Sequence, residues 1–171
     1  MENRDHEKLE GRRRSLASGS DGQESSSEIH DVAQFHEKFG VPVLTPESRY
    51  TNEEILEVCT MKINHLYEEL KELEVAFLEK NAYELADALI DLVYVAKGFA
   101  IVCGLPWSLL WEEVHNKNMT KLRASSKKQS KRKSIYDVVK PPNWSPPDIK
   151  TIINNMPNRD KLFDIFPNKG D

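Results

Sequence analysis

The chain has 171 residues, 39% of them hydrophobic, and a formal net charge of −4. That length suits one domain of ordinary size with tails to spare, and so mild an acidity singles out no partner class. Asp87, Asp91 and Lys97 interrupt the longest apolar run, which excludes it as a membrane span. No signal-peptide core stands in the first thirty residues, so a cytoplasmic location is expected, although the basic runs would also suit a nuclear address. Cys59 and Cys103 are the only cysteines. Both lie in apolar helical patterns and are expected as buried free thiols.

Residues 1–30 are rich in Ser, Gly and both charge signs, and read as a disordered tail. "DVAQFHEKFG" predicts a short helix with Asp31 as N-cap and Gly40 just past its end, and "VPVLTPES" a loop. Thr51 caps a long helix running to about Lys80, with Glu53 and Glu54 in its first turn. Cys59, Ile63, Leu66, Leu70, Leu73 and Phe77 alternate steps of four and three and make one apolar seam. "KNAY" breaks the helix. A second core helix runs from about Tyr83 to Cys103, with Gly104 as its C-terminal cap, and Pro106 opens another that ends near Leu122. The fold class expected is all-α, an antiparallel four-helix-type bundle of three or four helices over 31–124. A basic flexible loop over 125–134 and a proline-rich, extended arm over 135–171 follow.

The second core helix carries the first chemical signal. Glu84, Asp87 and Asp91 fall within about 60° of each other on a helical wheel. The other faces carry apolar residues such as Leu85, Leu89, Ile90 and Val93, so the helix reads as buried. Three buried carboxylates repel one another and each costs several kcal/mol unless compensated. On the preceding helix Glu68, Glu69 and Glu72 cluster away from the leucine seam, in a sector shared with Met61, His65, Val75 and Ala76, which reads as a second contact face. A short turn forces the two helices antiparallel and matches the heights of Glu72 and Asp91. The interior faces offer few bases: His65, and Lys97 on the wrong side. Many carboxylates with no cysteine and little histidine describe a hard-oxygen site for Mg²⁺ or Mn²⁺ rather than Zn²⁺. Ion pairs with Lys62, Lys71 or Lys80 on a solvated face are the plainer alternative. Phosphate-binding groups are expected nearby, and "EEVHNKNMTKL" supplies His115, Asn116, Lys117, Asn118 and Lys121 at one helix end.

"EELKE" followed closely by "ELADALID" resembles the MazG-type nucleotide pyrophosphohydrolases of the all-α NTP pyrophosphatase superfamily, which also holds phosphoribosyl-ATP pyrophosphohydrolase. The family pattern EExxE falls on Glu68, Glu69 and Glu72, and ExxD on Glu84 and Asp87. A second register, suggested by the resemblance of "DLVYVAKGFAIVCGL" to the phage-type branch, puts the aspartate on Asp91 and leaves Ala88 where a glutamate is expected, with Asp87 beside it. "FHEKFGVPV", "EVHNKNMTKL" and "VVKPPNWSPPDI" are similar to that branch as well, which brings in Asn118, Lys121 and Lys140 as substrate contacts. The resemblance covers roughly Asp31 to Ile149 and leaves out the basic loop and both tails.

The resemblance implies Mg²⁺-dependent hydrolysis of an NTP or dNTP to NMP and pyrophosphate, with Glu68 or Glu69, or a hydroxide on the metal, activating water. It implies a homodimer or homotetramer, with no membrane partner. Activity on phosphoribosyl-ATP and a non-catalytic helical interaction module are the alternatives. The run "SSKKQSKRKS" lacks interleaved aromatics, so nucleic acid is not expected as a partner.

Overall fold

The computed structural model describes residues 21–167. The helices are α1 Asp21–Phe39, α2 Asn52–Glu79, α3 Ala82–Val102, α4 Trp107–Met119, α5 Ile149–Asn154 and α6 Arg159–Ile165. Two short strands, β1 Leu122–Arg123 and β2 Val138–Val139, pair antiparallel between α4 and α5. The all-α bundle expected from the sequence is present. Residues 1–20 of the expected tail lie outside the described residues. Residues 21–30, assigned to that tail, are instead helical, and α1 starts ten residues before Asp31. One cause is visible: Lys97 of α3 is buried and ion-paired with Glu28, whose carboxylate supplies the partner that a buried ammonium requires.

Helix α2 starts with a capping box. Glu54 N donates to Thr51 Oγ1 at 3.2 Å, and Thr51 N donates to Glu54 Oε2 at 2.7 Å. It stops where Lys80 turns left-handed (φ 58°). Asn81 then caps α3, its Oδ1 accepting from Tyr83 N at 3.1 Å and Glu84 N at 3.4 Å. So tight a turn lays α2 and α3 antiparallel, and theirs is the largest interface between elements.

The face α2 turns inward differs from the expected seam. Ile55, Cys59, Lys62, Glu69 and Ala76 are buried, whereas Ile63, Leu70 and Phe77 are exposed (43%, 52% and 70%). Both lines follow a four-three repeat and share Cys59, Leu66 and Leu73, so periodicity alone does not choose between them. Gly98 of α3 favours the buried line: a Cβ there would stand 3.1 Å from Lys62 Nζ, so its absence leaves room for that long side chain. Helix α3 is also not buried all round, since Leu89, Ile90 and Val93 face out with Glu84, Asp87 and Asp91. The burial expected for these carboxylates is therefore absent from the single chain.

The apolar core sits at the far end of the α2–α3 pair. Leu44, Ile55, Cys59, Val102, Cys103, Met156 and Leu162 close it. The thiols are free and buried, with Sγ atoms 3.8 Å apart. Desolvation pushes Cys103 up to about 12 and raises Cys59 as well, which keeps both protonated and inert. The arm is less extended than expected. Its Met156 and Leu162, on and between α5 and α6, complete this core. Ser130 and Asp137 hold the basic 125–134 segment, expected to be flexible, in hydrogen-bonded turns. No helix among the described residues is long and apolar enough to cross a membrane.

A buried polar cluster joins α1, α2 and α3. His36 is 1% exposed, with neither ring nitrogen hydrogen-bonded. A Cβ on Gly98 would stand 3.1 Å from both His36 Nε2 and Lys62 Nζ, so glycine is what lets these side chains reach the helix. Desolvation, then the Lys62 charge, lowers His36 from 6.5 to about 4. The unfolded chain thus binds more protons than the folded one between those values, and stability falls as pH drops through that window. The melting temperature is expected to decline from pH 6.5 to 4, and His36→Phe to flatten that decline, as thermal melts across the window would read.

Candidate active site

The end of the α2–α3 pair nearest their turn lacks the apolar filling of the other end, and a groove of about 680 Å³ opens there. Glu68, Glu72, Glu84, Asp87 and Ala88 line it, together with Lys71, Val75 and Asn81. Acids from both helices therefore meet across one groove, as the antiparallel pairing requires. Of the six acids, Asp91, which is exposed, and Glu69, which is buried, do not line it. The groove thus takes in Glu84 and Asp87. Glu84 lies in the first turn of α3, where the helix dipole favours its charge.

Glu69 stands apart from its neighbours. It is 8% exposed, while Glu68 and Glu72 are open to solvent. Its Oε1 lies 3.0 Å from His65 Nε2, one turn earlier on α2, and its Oε2 is buried without a hydrogen-bond partner. An orphaned buried carboxylate oxygen is costly and calls for a cation or a proton donor. Among the described residues, Lys62, Lys71 and Lys80 form no ion pair with these acids. The pairs that the solvated-face alternative invoked are therefore not formed, while Glu68, Glu72, Glu84, Asp87 and Asp91 are all exposed, as that alternative expects. Nor, among the described residues, do three or more His, Cys, Asp or Glu converge closely enough to form a ready-made metal cluster.

A second polar assembly lies at the end of α4. Lys121 Nζ donates to Asn118 Oδ1 at 2.7 Å. Trp144 packs on it from the arm, its Nε1 donating to Thr120 Oγ1 at 3.0 Å. Lys121 Nζ and Lys140 Nζ lie 5.5 and 4.4 Å from the Trp144 ring centroid, and Lys117 Nζ donates to Ser145 Oγ at 2.9 Å. Asn118, Lys121 and Lys140 are thus brought together, whereas His115 is exposed and has no part in the assembly. Lys117 was among the candidates of this helix end, whereas Trp144 was not. The lone tryptophan in "NWSPP" was its signal, because an aromatic in a proline-rich arm needs a surface to dock on. None of these α4 and arm residues lines the acidic groove.

A comparison with curated proteins finds no match. Residues 32–118, just over half of the chain, match the model of the phosphoribosyl-ATP pyrophosphohydrolase family. The match spans α2 and α3 with all six acids and ends at Asn118, before the basic segment and the arm. The chain belongs to the phosphoribosyl-ATP pyrophosphohydrolase family, within the MazG-like all-α NTP pyrophosphatase superfamily, and is a pyrophosphohydrolase by that membership.

Proposed function

We propose that this chain is a Mg²⁺-dependent nucleoside triphosphate pyrophosphohydrolase that cleaves an NTP or dNTP to NMP and pyrophosphate. The observation carrying the reading is the meeting of Glu68, Glu72, Glu84 and Asp87 across one groove, while Glu69, next to Glu68 in the chain, carries an unpartnered Oε2. These oxygen-only donors fit Mg²⁺, with Mn²⁺ as a substitute, and the orphaned Oε2 is the group most in need of a cation. Glu68, Glu69, Glu72, Glu84 and Asp87 would hold it, with Asp91 an outer candidate. When bound, Mg²⁺ supplies neutralisation of the triphosphate charge. Glu69 or Glu68 takes the proton from the attacking water, whose oxygen bonds to phosphorus as the α–β anhydride breaks. Asn118, Lys121 and Lys140, and on the sequence reading His115, supply donors for phosphate oxygens.

A homodimer or homotetramer belongs to the same proposal. Ile63, Leu70 and Phe77 on α2 and Leu89, Ile90 and Val93 on α3 leave an apolar surface beside the acids that a second copy would cover. Replacing Leu70 and Phe77 by glutamate is expected to shift the sedimentation coefficient to that of a monomer and to lower activity.

Phosphoribosyl-ATP is the second substrate reading, favoured by the family match itself. Pyrophosphate release measured over NTPs, dNTPs and phosphoribosyl-ATP, with Mg²⁺ and with EDTA, separates the two. The expected result is Mg²⁺-dependent turnover that prefers an NTP or dNTP. Exclusive turnover of phosphoribosyl-ATP would favour the second reading, and turnover of none would contradict both. In the same assay Glu84→Gln is expected to abolish activity and Asp91→Asn to retain most of it. The opposite pattern would support the second register.

A further inference from the structure

Eight of the chain's 24 lysines and arginines fall between Lys121 and Lys140, against a single acid, Asp137. The rest of the chain is acidic enough to bring the net charge to −4, so positive charge is segregated here. The segment lies beyond residues 32–118, and the family match does not account for it.

The fold turns this run into a fixed surface. Leu122 and Arg123 pair with Val139 and Val138, and the intervening loop folds back on Asp137. Asp137 Oδ2 accepts from Ser130 Oγ at 2.6 Å, and its Oδ1 from Arg132 Nη1 at 2.8 Å and Val138 N at 2.9 Å. Ser130 is buried, and its Oγ accepts from Arg132 N and Ser134 N. The one acid is thereby consumed within the loop. Lys127, Lys128, Lys131 and Lys133 stay exposed, and no described acid pairs with them.

The aromatic missing from the linear run arrives through the fold. Tyr136 is 82% exposed, with the Arg123 guanidinium 5.6 Å from its ring centroid. A ring so open contributes little to packing, and an adjacent guanidinium makes it a stacking platform. Lysines that track phosphates beside a free π-face describe recognition of unstacked bases. A membrane would need apolar side chains at the loop tip, and residues 125–129 there are all polar and exposed. A duplex hides the base faces that Tyr136 would use.

We propose that the hairpin between Lys121 and Lys140 is a docking surface for single-stranded nucleic acid, with Lys127, Lys128, Lys131 and Lys133 on phosphates and Tyr136 stacked on a base. Fluorescence anisotropy of the full chain with a labelled oligouridine of about 20 nucleotides tests it, read across a salt series. Binding should weaken as salt rises. Lys127→Gln, Lys128→Gln and Lys131→Gln combined should flatten the log–log salt slope by about 2, at roughly 0.7 per lost contact. Tyr136→Ala should weaken binding about ten-fold at every salt concentration and leave that slope unchanged. Both variants should keep the wild-type melting temperature and pyrophosphate release. Three results would overturn the proposal: no binding at low salt, unchanged affinity in Tyr136→Ala, or tighter binding to phosphatidylserine vesicles than to the oligonucleotide.

Discussion

Glu69→Gln should abolish pyrophosphate release, by about 10²–10⁴-fold, while the helical fold persists. Glutamine keeps the shape of the side chain and can still face His65, but it loses the charge and the basicity that the proposed chemistry uses. The burial of Glu69 makes the outcome diagnostic. Its Oε2 has no partner in the folded chain, so an uncharged amide relieves a desolvation cost. The melting temperature without metal should therefore hold or rise as activity disappears. In the wild type Mg²⁺ should raise the melting temperature, as any ligand of the native state does, and in Glu69→Gln that increment should shrink. Glu68→Gln and Glu72→Gln should also lose activity, but without the gain in stability, because both side chains are exposed. If Glu69→Gln instead lost stability and activity together, the residue would be a structural partner of His65 and not part of the site.

Gly104→Ala is expected to be the most destabilising small substitution in the core. Gly104 has φ +61°, a left-handed conformation that costs other residues about 1–2 kcal/mol. A Cβ there would also overlap Leu44 O and Asn158 Nδ2, which are hydrogen-bonded to each other at 3.0 Å. That bond ties the loop after α1 to the start of α6. Leu44 N also donates to Val102 O at 2.9 Å, so one alanine would wedge apart the junction of loop, α3 and arm. Strain plus a broken buried hydrogen bond comes to about 3 kcal/mol or more, a fall of about 10 °C in melting temperature. Gly40→Ala is the control. Gly40 has a similar φ, +64°, but nothing stands within 4 Å of its Cβ position. It should lose only the backbone share, about 1 kcal/mol.

How far the sequence could be read depended on whether a local rule or a tertiary contact decided each feature. The limits of α2 and α3 were legible because Thr51, Glu54, Asn81 and Gly104 are capping chemistry written into the chain. The start of α1 was not, since Glu28 joins the helix alongside an ion pair with Lys97, 69 positions away. The inward face of α2 was misassigned for a related reason. The leucine seam is the more apolar line, but α2 buries the line through Lys62 and Glu69, and Gly98 of α3 makes the room for Lys62. The six acids were found by residue type and spacing, and four of them line one groove. That Glu69 turns inward and Asp91 outward depends on helix rotation, which a wheel drawn for one helix does not fix. Tyr136 and Trp144 gain their neighbours through the arm and the β1–β2 pair, beyond any periodic signal.

The central claim is that the acids of α2 and α3 together split a nucleotide between its α and β phosphates. Phosphorus-31 NMR of a dNTP incubated with the full chain and Mg²⁺ tests it most directly. The account predicts NMP and pyrophosphate in equal amounts, and neither product from Glu72→Gln or Asp87→Asn. Orthophosphate with a nucleoside diphosphate as the products, or undiminished turnover in both variants, would contradict it.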